Sequence, residues 1–346
     1  MQKVKCVIWD LDDTVWNGVV IEGDPATPLP FAVETIRTLD QRGILHAVAS
    51  RGDRDLSHAH LTTHGLAEYF CAVEIGWGAK SEAVGRIAER LNIGLDTMAF
   101  VDNDDVELAE VAAAHPEVRC YRSTGIAELP DLPEFRPAFI TDESAARRQM
   151  YQADGARAAA QERFAGTSAE FLASLDLVMT IGHATDDDLA RAHELTVRTH
   201  QLNTTGVTFD EHELRALVDS PEYEVLVARL RDRFGDYGTI GLSVTHLSGA
   251  DAVLHLLLMS CRVMSRGAGA VLLHHVMRSA VDRGLRPLAR FVATGKNRVM
   301  LVTLRFAGFE PIEDDSGRLL LAYPPGRCLP PPPAHVRVVT STGPAS

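Results

Sequence analysis

The sequence has no apolar run long enough to span a lipid bilayer, and residues 1–10 lack the basic-then-apolar pattern of a signal peptide. Its five cysteines are an odd number spread over 346 residues, which is not typical of a disulfide framework. It also has no internal repeat. We therefore expect a cytoplasmic protein whose cysteines are free thiols.

The chain has fewer positively than negatively charged residues: 34 Lys and Arg and 47 Asp and Glu give a formal net charge of −13. A phosphate backbone is repelled by such a surface, so we expect no nucleic-acid partner. A phosphorylated substrate meets the same repulsion and needs a metal ion and local hydrogen-bond donors. The length suggests two domains, and the apolar share of 46% is typical of globular chains.

Apolar runs alternate with helical patterns through the first third of the chain. Five strands are predicted, at residues 3–9, 44–50, 71–75, 97–101 and 118–121. This alternation indicates a doubly wound α/β sheet over residues 1–128. A Pro-rich, acidic stretch then predicts a linker over residues 129–142.

The rest of the chain predicts a separate α+β domain over residues 143–327. A long helical segment opens it, and the later pattern places strands before the helices that pack on them. Further strands are predicted at 223–231, 238–246, 252–261 and 287–294, and helices near 186–200, 209–218, 268–282 and 297–306. Four consecutive prolines and a Ser/Thr/Gly-rich end predict a disordered tail over residues 328–346.

Two aspartates, Asp10 and Asp12, directly follow the first predicted strand. Ligands of open α/β sheets bind at the carboxyl ends of the strands, so these carboxylates lie where chemistry is expected. One can attack phosphorus as a nucleophile, and the other can protonate the leaving oxygen and then activate water. Mg²⁺ with oxygen ligands would offset their charge. The plain alternative is a turn that contains aspartates by chance.

Three more polar sites follow other strands in order. Ser50 ends the second predicted strand, Lys80 opens the helix after the third, and Asp102 and Asn103 end the fourth. The serine and lysine can hold phosphoryl oxygens, and the last pair can complete a metal shell. Each also has an ordinary explanation as a helix cap, a solvated lysine or an acidic helix start. Four such coincidences in the right order favour function.

The segments WDLDDTVW, VASRGD, GAKSE and FVDNDD resemble, in order, the four motifs of the haloacid dehalogenase (HAD) superfamily over roughly residues 3–125. The resemblance implies that Asp10 is the nucleophile and Asp12 the acid/base. It implies phosphate-binding roles for Thr14, Ser50, Arg51 and Lys80. It implies that Mg²⁺ is held by Asp10, the Asp12 backbone carbonyl, Asp102 and Asn103, the last of which is often Asp in relatives. Residues 15–29 are too short for a cap domain and imply a small flap.

In the second half, Arg262, Ser265 and Gly267 lie between an apolar strand and a helix and resemble the pyrophosphate loop of GNAT-type acyltransferases. The resemblance implies a GNAT-like fold in which Arg262, Ser265, Arg266 and Gly267 bind the phosphopantetheine arm of a carrier protein. Cys261 precedes this loop, and both Arg262 and the helix start would lower its pKa. The alternative is a buried cysteine that acts as a small hydrophobe.

Three further segments, RTHQLNTT, DRFGDYGTIG and MSCRVMSRG, resemble the FkbH-like proteins of polyketide pathways. The resemblance implies transfer of a glyceryl unit from 1,3-bisphosphoglycerate to an acyl carrier protein, with loss of both phosphates and with Cys261 carrying the acyl group. Two other hypotheses stay open. The chain is a phosphatase whose second domain only docks a carrier protein, or a scaffold without catalysis, which the intact Asp10 and Lys80 argue against.

Overall fold

The computed structural model describes residues 3–137 and 140–341, and the chain divides into two compact units, Met1–Ala156 and Arg157–Ser346. Each unit has hydrophobic clusters of its own. Among the described residues, no helix is long and apolar enough to cross a membrane.

The first unit is built from seven strands and six helices in the part of the chain that the structure describes. The strands are β1 (Cys6–Trp9), β2 (Trp16–Asn17), β3 (Thr27–Pro28), β4 (Leu45–Ser50), β5 (Phe70–Ile75), β6 (Met98–Asp102) and β7 (Arg119–Arg122). The helices are α1 (Pro30–Gln41), α2 (Arg54–Thr63), α3 (Lys80–Leu91), α4 (Asp105–Ala114), α5 (Asp142–Ala145) and α6 (Arg147–Glu162), which runs across the division between the units.

Five of these strands form one parallel sheet in the order β5-β4-β1-β6-β7. The central strand β1 is buried on both faces, because Val7 and Trp9 belong to one hydrophobic cluster while Cys6 and Ile8 belong to another. This burial explains its continuous apolar run. The predicted HAD-like, doubly wound sheet without a large cap is therefore confirmed, since β2 and β3 form only a small two-stranded flap.

The predicted linker over residues 129–142 is wrong for its first part. Residues 123–131 and 133–135 form 3₁₀ helices, and the buried side chains of Leu129 and Phe135 pack into the core of the first unit. The Pro-rich composition suggested an exposed connection, but leucine and phenylalanine at this spacing supply enough apolar surface to hold the segment. Ala138 and Phe139 lie outside the described residues.

The second unit is an α+β domain. Its strands are β8 (Leu177–His183), β9 (Tyr223–Asp232), β10 (Gly235–Ser248), β11 (Asp251–Met259), β12 (Arg286–Val292), β13 (Glu310–Asp315), β14 (Arg318–Ala322) and β15 (Val336–Ser341). Its helices are α7 (Ser168–Ala173), α8 (Asp186–Arg198), α9 (Glu211–Val218), α10 (Ala268–Asp282) and α11 (Arg298–Phe306).

These eight strands form a mixed sheet in the order β13-β14-β12-β11-β10-β9-β8-β15. Strands β8 to β11 pair antiparallel, and β11 pairs parallel to β12 through the crossover helix α10. The predicted GNAT-like α+β domain after the HAD-like sheet is confirmed. Strands β8, β13 and β14 were not expected from the sequence pattern.

The predicted disordered tail is wrong for its described part. Strand β15 pairs in parallel with β8 over its whole length, from Val336 opposite Leu177 to Ser341 opposite Gly182. The four prolines lack the backbone N–H group that strand pairing requires, but the β-branched residues after them can pair in a sheet. Residues 342–346 lie outside the described residues.

Candidate active site

Four buried side chains converge at the carboxyl edge of the parallel sheet. The Lys80 ammonium lies 2.8 Å from Asp10 Oδ1 and 2.6 Å from Asp102 Oδ2, and Ser50 Oγ donates to Asp10 Oδ1 at 2.9 Å. Burial alone would lower the pKa of Lys80, but the two carboxylates outweigh it and raise that pKa, so the ammonium stays charged. The structure thus brings together one residue from each of the four predicted motifs.

The topology explains this convergence. Strand β1 lies between β4 and β6, so Asp10 after β1 has Ser50 at the end of β4 on one side and Asp102 at the end of β6 on the other. Lys80 is the first residue of α3 and reaches back over the strand ends. Each side chain is fixed by a buried strand or a helix start, which keeps the arrangement rigid.

The Asp12 carboxylate is held apart from this cluster. Its Oδ1 accepts a hydrogen bond from the indole of the buried Trp16 at 2.7 Å and one from the Val20 backbone N–H at 3.4 Å. Burial raises the pKa of Asp12, and these hydrogen bonds offset only part of the effect. A carboxyl group with a raised pKa, held in place and set apart from the lysine, suits a general acid. Trp16 was missed by sequence reasoning, although it lies four residues after Asp12.

The residues present fit a magnesium ion. Asp10 and Asp102 face a single ammonium, so one buried negative charge lacks a counter-charge. No donor among the described residues binds Asp10 Oδ2, which leaves that oxygen for a ligand. Thr14 Oγ1 donates to Asn103 Oδ1 at 3.3 Å and so contacts a predicted metal ligand. Within residues 3–137 and 140–341, no three Asp, Glu, His or Cys side chains form a metal cluster, and the predicted ligand set stays a prediction.

Arg51, predicted to bind phosphate, is half exposed and forms an ion pair with Glu107 at 3.0 Å. A different arginine lies near the cluster: a cavity of about 50 Å³ is lined by Ser50, Lys80 and Arg86, together with the glycines on either side of Trp77. The Trp77 side chain is 71% exposed. Only its position, three residues before Lys80, could have indicated a role from the sequence.

The predicted nucleophile of the second unit has a different environment from the one expected. Cys261 is exposed and opens a 3₁₀ helix, residues 261–266, after β11 has ended. Arg262 donates to the Tyr237 carbonyl at 3.0 Å. Although the residue is exposed, partial burial of the sulfur raises the pKa of Cys261, so the expected lowering of that pKa is wrong. His255, in the strand β11 that precedes Cys261, packs its ring against Tyr223 and His246.

The end of the loop predicted to bind phosphopantetheine is in contact with residues 333–335. Gly267, at the start of α10, has φ of +74°, and a Cβ there would lie 3.4 Å from Pro333 and 3.4 Å from His335. His335 Nε2 lies 3.0 Å from the Arg266 carbonyl oxygen. Ser265 is exposed on the preceding turn. Pro333 and His335 thus lie beside the start of α10, and the binding role of Arg262, Ser265, Arg266 and Gly267 stays a prediction.

Comparison with known proteins gives no match to a family model and no match to a curated protein. Among solved structures, the N-terminal part of BF1531 from Bacteroides fragilis, which contains a phosphatase domain and is complexed with Mg, is 28% identical with a TM-score of 0.31. That match covers 39% of this chain and 38% of that chain, so this chain spans about two-fifths of its length.

Two acetyltransferase structures are also similar to part of the chain. The ribosomal-protein-S18-alanine N-acetyltransferase of Escherichia coli is 17% identical, with 42% of this chain and 90% of that chain covered and a TM-score of 0.33. The PaiA N-acetyltransferase of Thermoplasma acidophilum, in complex with coenzyme A, is 15% identical, with 42% and 97% covered and a TM-score of 0.35.

Proposed function

We propose that the chain is a bifunctional enzyme whose first unit is a Mg²⁺-dependent, HAD-type phosphatase and whose second unit takes part in acyl transfer. The observation that carries the phosphatase is the Lys80 ammonium between Asp10 and Asp102, with Ser50 on the same Asp10 oxygen. Such a cluster supplies donors that can hold a phosphoryl group against a carboxylate nucleophile.

In the first step, Asp10 Oδ2 attacks the phosphorus of a phosphomonoester while Ser50 and Lys80 hold the phosphoryl oxygens. The P–O bond to the leaving group breaks, and the leaving oxygen takes a proton from the Asp12 carboxyl group. The product is an aspartyl phosphate on Asp10 and a free alcohol. The hydrogen bond from Trp16 holds the Asp12 carboxyl group in place for this proton transfer.

In the second step, Asp12, now a carboxylate, takes a proton from water, and the water oxygen attacks phosphorus. The P–O bond to Asp10 breaks, which releases inorganic phosphate and restores both carboxyl groups. Asp10, the Asp12 backbone carbonyl, Asp102 and Asn103 would hold Mg²⁺. When bound, the ion supplies charge that offsets the phosphate and the carboxylates.

Phosphate release from 3-phosphoglycerate tests this proposal. We expect release that needs Mg²⁺, stops with a chelator and is lost in Asp10→Asn, because an amide is not a nucleophile toward phosphorus. An Asp10→Asn protein that folds, binds Mg²⁺ and still releases phosphate at the original rate would remove Asp10 from the reaction.

The finer proposal is a glyceryl transferase/phosphatase that loads an acyl carrier protein. Cys261 thiolate attacks the acyl carbon of 1,3-bisphosphoglycerate, the C–O bond to phosphate breaks, and an enzyme thioester forms. The first unit hydrolyses the remaining phosphomonoester. The carrier's thiol then attacks the thioester carbon, which passes the glyceryl unit to the carrier and returns the Cys261 thiol. The exposure of Cys261 supports access by a carrier.

The raised pKa of Cys261 favours a second candidate, in which the second unit only docks the carrier protein. Intact mass measurement of protein and carrier after incubation with 1,3-bisphosphoglycerate and Mg²⁺ separates the two. The transferase predicts a hydroxylamine-sensitive adduct on the enzyme that is absent in Cys261→Ala, and an adduct heavier by one phosphate in Asp10→Asn. Normal loading of the carrier by Cys261→Ala would leave docking as the role of the second unit.

A further inference from the structure

The parallel strands β11 and β12 separate before either of them ends. They pair from Asp251 opposite Arg286 to Leu254 opposite Ala289, and then β11 continues to Met259 and β12 to Val292 without pairing to each other. Diverging strands leave backbone N–H and C=O groups along both inner edges, and these groups need partners. An amide-bearing arm such as phosphopantetheine would bind along such edges through main-chain hydrogen bonds.

In this protein the edges are already occupied by residues 202–205, which we call the seal segment. On the β11 side, Met259 N–H donates to the Leu202 carbonyl at 2.9 Å and Thr204 N–H donates to the Leu257 carbonyl at 3.0 Å. On the β12 side, Val292 N–H donates to the Thr204 carbonyl at 3.0 Å. The seal segment therefore takes the place of a strand between β11 and β12.

Side chains bind the seal segment as well as its backbone. Leu257 N–H donates to Thr204 Oγ1 at 2.9 Å. The buried Asn297, at the start of α11, donates from its amide to the Asn203 carbonyl and to the Val292 carbonyl, both at 2.9 Å. All four residues of the seal segment are buried. The Thr205 hydroxyl is buried and has no hydrogen-bond partner among the described residues. The backbone groups of Leu202, Asn203 and Thr204 are paired out of contact with water, so displacing them would leave buried groups unsatisfied.

We propose that the seal segment permanently closes the gap between β11 and β12, so that the second unit does not bind coenzyme A or a pantetheine arm within its sheet. Pro333 and His335 lie next to Gly267 at the start of α10, beside this gap. A thiol acceptor would then reach the exposed Cys261 from solvent and not through the sheet. This inference concerns the second unit alone and does not depend on the phosphatase.

Coenzyme A and the full chain provide the direct test, with calorimetry and amide hydrogen exchange as readouts. We expect no binding tighter than about 1 mM. The amides of Leu257, Met259 and Val292 should be protected to the same degree with and without coenzyme A. Iodoacetamide should label Cys261 at an unchanged rate in excess coenzyme A. Tight binding, or shielding of Cys261 by coenzyme A, would show that the gap opens and would overturn the proposal.

Asn297→Ala tests whether the Asn297 amide holds the seal segment between β11 and β12. Loss of the two amide hydrogen bonds should speed exchange at Leu257, Met259 and Val292 by at least about tenfold, equivalent to roughly 1.4 kcal/mol. Asn17→Ala, which changes an exposed asparagine of the first unit, should leave these amides unchanged. Unchanged exchange in Asn297→Ala would mean that the segment is not locked by this residue, and a fixed seal would be refuted. The same exchange measurements on Asp10→Asn should show unchanged protection of these amides. The result for the seal segment is then independent of the phosphatase.

Discussion

Replacing Lys80 by methionine isolates the charge balance of the candidate active site. The ammonium lies 2.8 Å from Asp10 Oδ1 and 2.6 Å from Asp102 Oδ2, and all three side chains are buried. Methionine fills a similar volume but carries no charge, so Lys80→Met leaves two carboxylates without a cation. Removing one partner of a buried ion pair costs about 3–5 kcal/mol.

In Mg²⁺-free buffer this cost should appear as a lower melting temperature. A unit of this size loses roughly 2–4 °C per kcal/mol, so Lys80→Met should melt about 6–20 °C below the wild type. Mg²⁺ should restore much of the loss, because a cation binds two uncompensated carboxylates more tightly than two that share an ammonium. Phosphate release should stay low even with Mg²⁺, since the phosphoryl oxygens have lost the Lys80 donor.

Differential scanning calorimetry in chelator and in Mg²⁺ measures both effects. Arg122→Met is the matched control, since Arg122 pairs with Asp105 on the surface and both side chains are more than half exposed. Exposed pairs contribute about 0–1 kcal/mol, so this variant should hardly change the melting temperature. If Lys80→Met melts within about 2 °C of the wild type in chelator, or if Mg²⁺ shifts both proteins equally, the assigned charge balance is wrong.

Three other variants have distinct expected outcomes. Trp16→Phe removes the hydrogen bond of 2.7 Å to Asp12, so kcat for phosphate release should fall about tenfold or more while KM stays unchanged. An unchanged kcat would contradict the role of Trp16 in positioning Asp12. We expect the exposed indole of Trp77 to cover the substrate, so Trp77→Ala should raise KM roughly tenfold without lowering kcat. Trp77→Phe should bring KM most of the way back to the wild-type value. Arg157→Met breaks a buried pair, 2.6 Å from Asp232, and should destabilise the second unit by about 3–5 kcal/mol in urea; a loss below about 1 kcal/mol would contradict this account.

The fold and the candidate site of the first unit could be predicted because each site residue lies next to a strand or helix start that the local sequence indicates. Asp10, Ser50 and Asp102 each end or follow a buried apolar strand, and parallel strands must bring their carboxyl ends to one edge. The sequence pattern therefore gave both the fold and the cluster. Trp16 and Arg86 could not be assigned in the same way, because their contacts depend on how the flap turns and on which face of α3 meets the cavity.

The errors in the second unit come from contacts between distant parts of the chain. The composition after Cys328 predicted disorder, yet Val336 starts a strand whose partner begins at Leu177. The expected thiolate at Cys261 was based on the neighbouring Arg262 and on the helix start after it, but Arg262 donates to the Tyr237 carbonyl instead. Long-range pairing of this kind leaves no periodic signal near the residue concerned.

The two units also differ in how far fold implies chemistry. In the first, the topology itself creates the site, so any chain that keeps the four polar residues at those strand ends keeps the cluster. In the second, the sheet leaves a gap that residues 202–205 occupy, and we propose that this segment decides whether the gap can accept a ligand. A fold can thus be shared while its binding site is filled by the chain itself. We therefore place the acyl transfer proposed for the second unit at the exposed Cys261, after the end of β11, and not within the sheet.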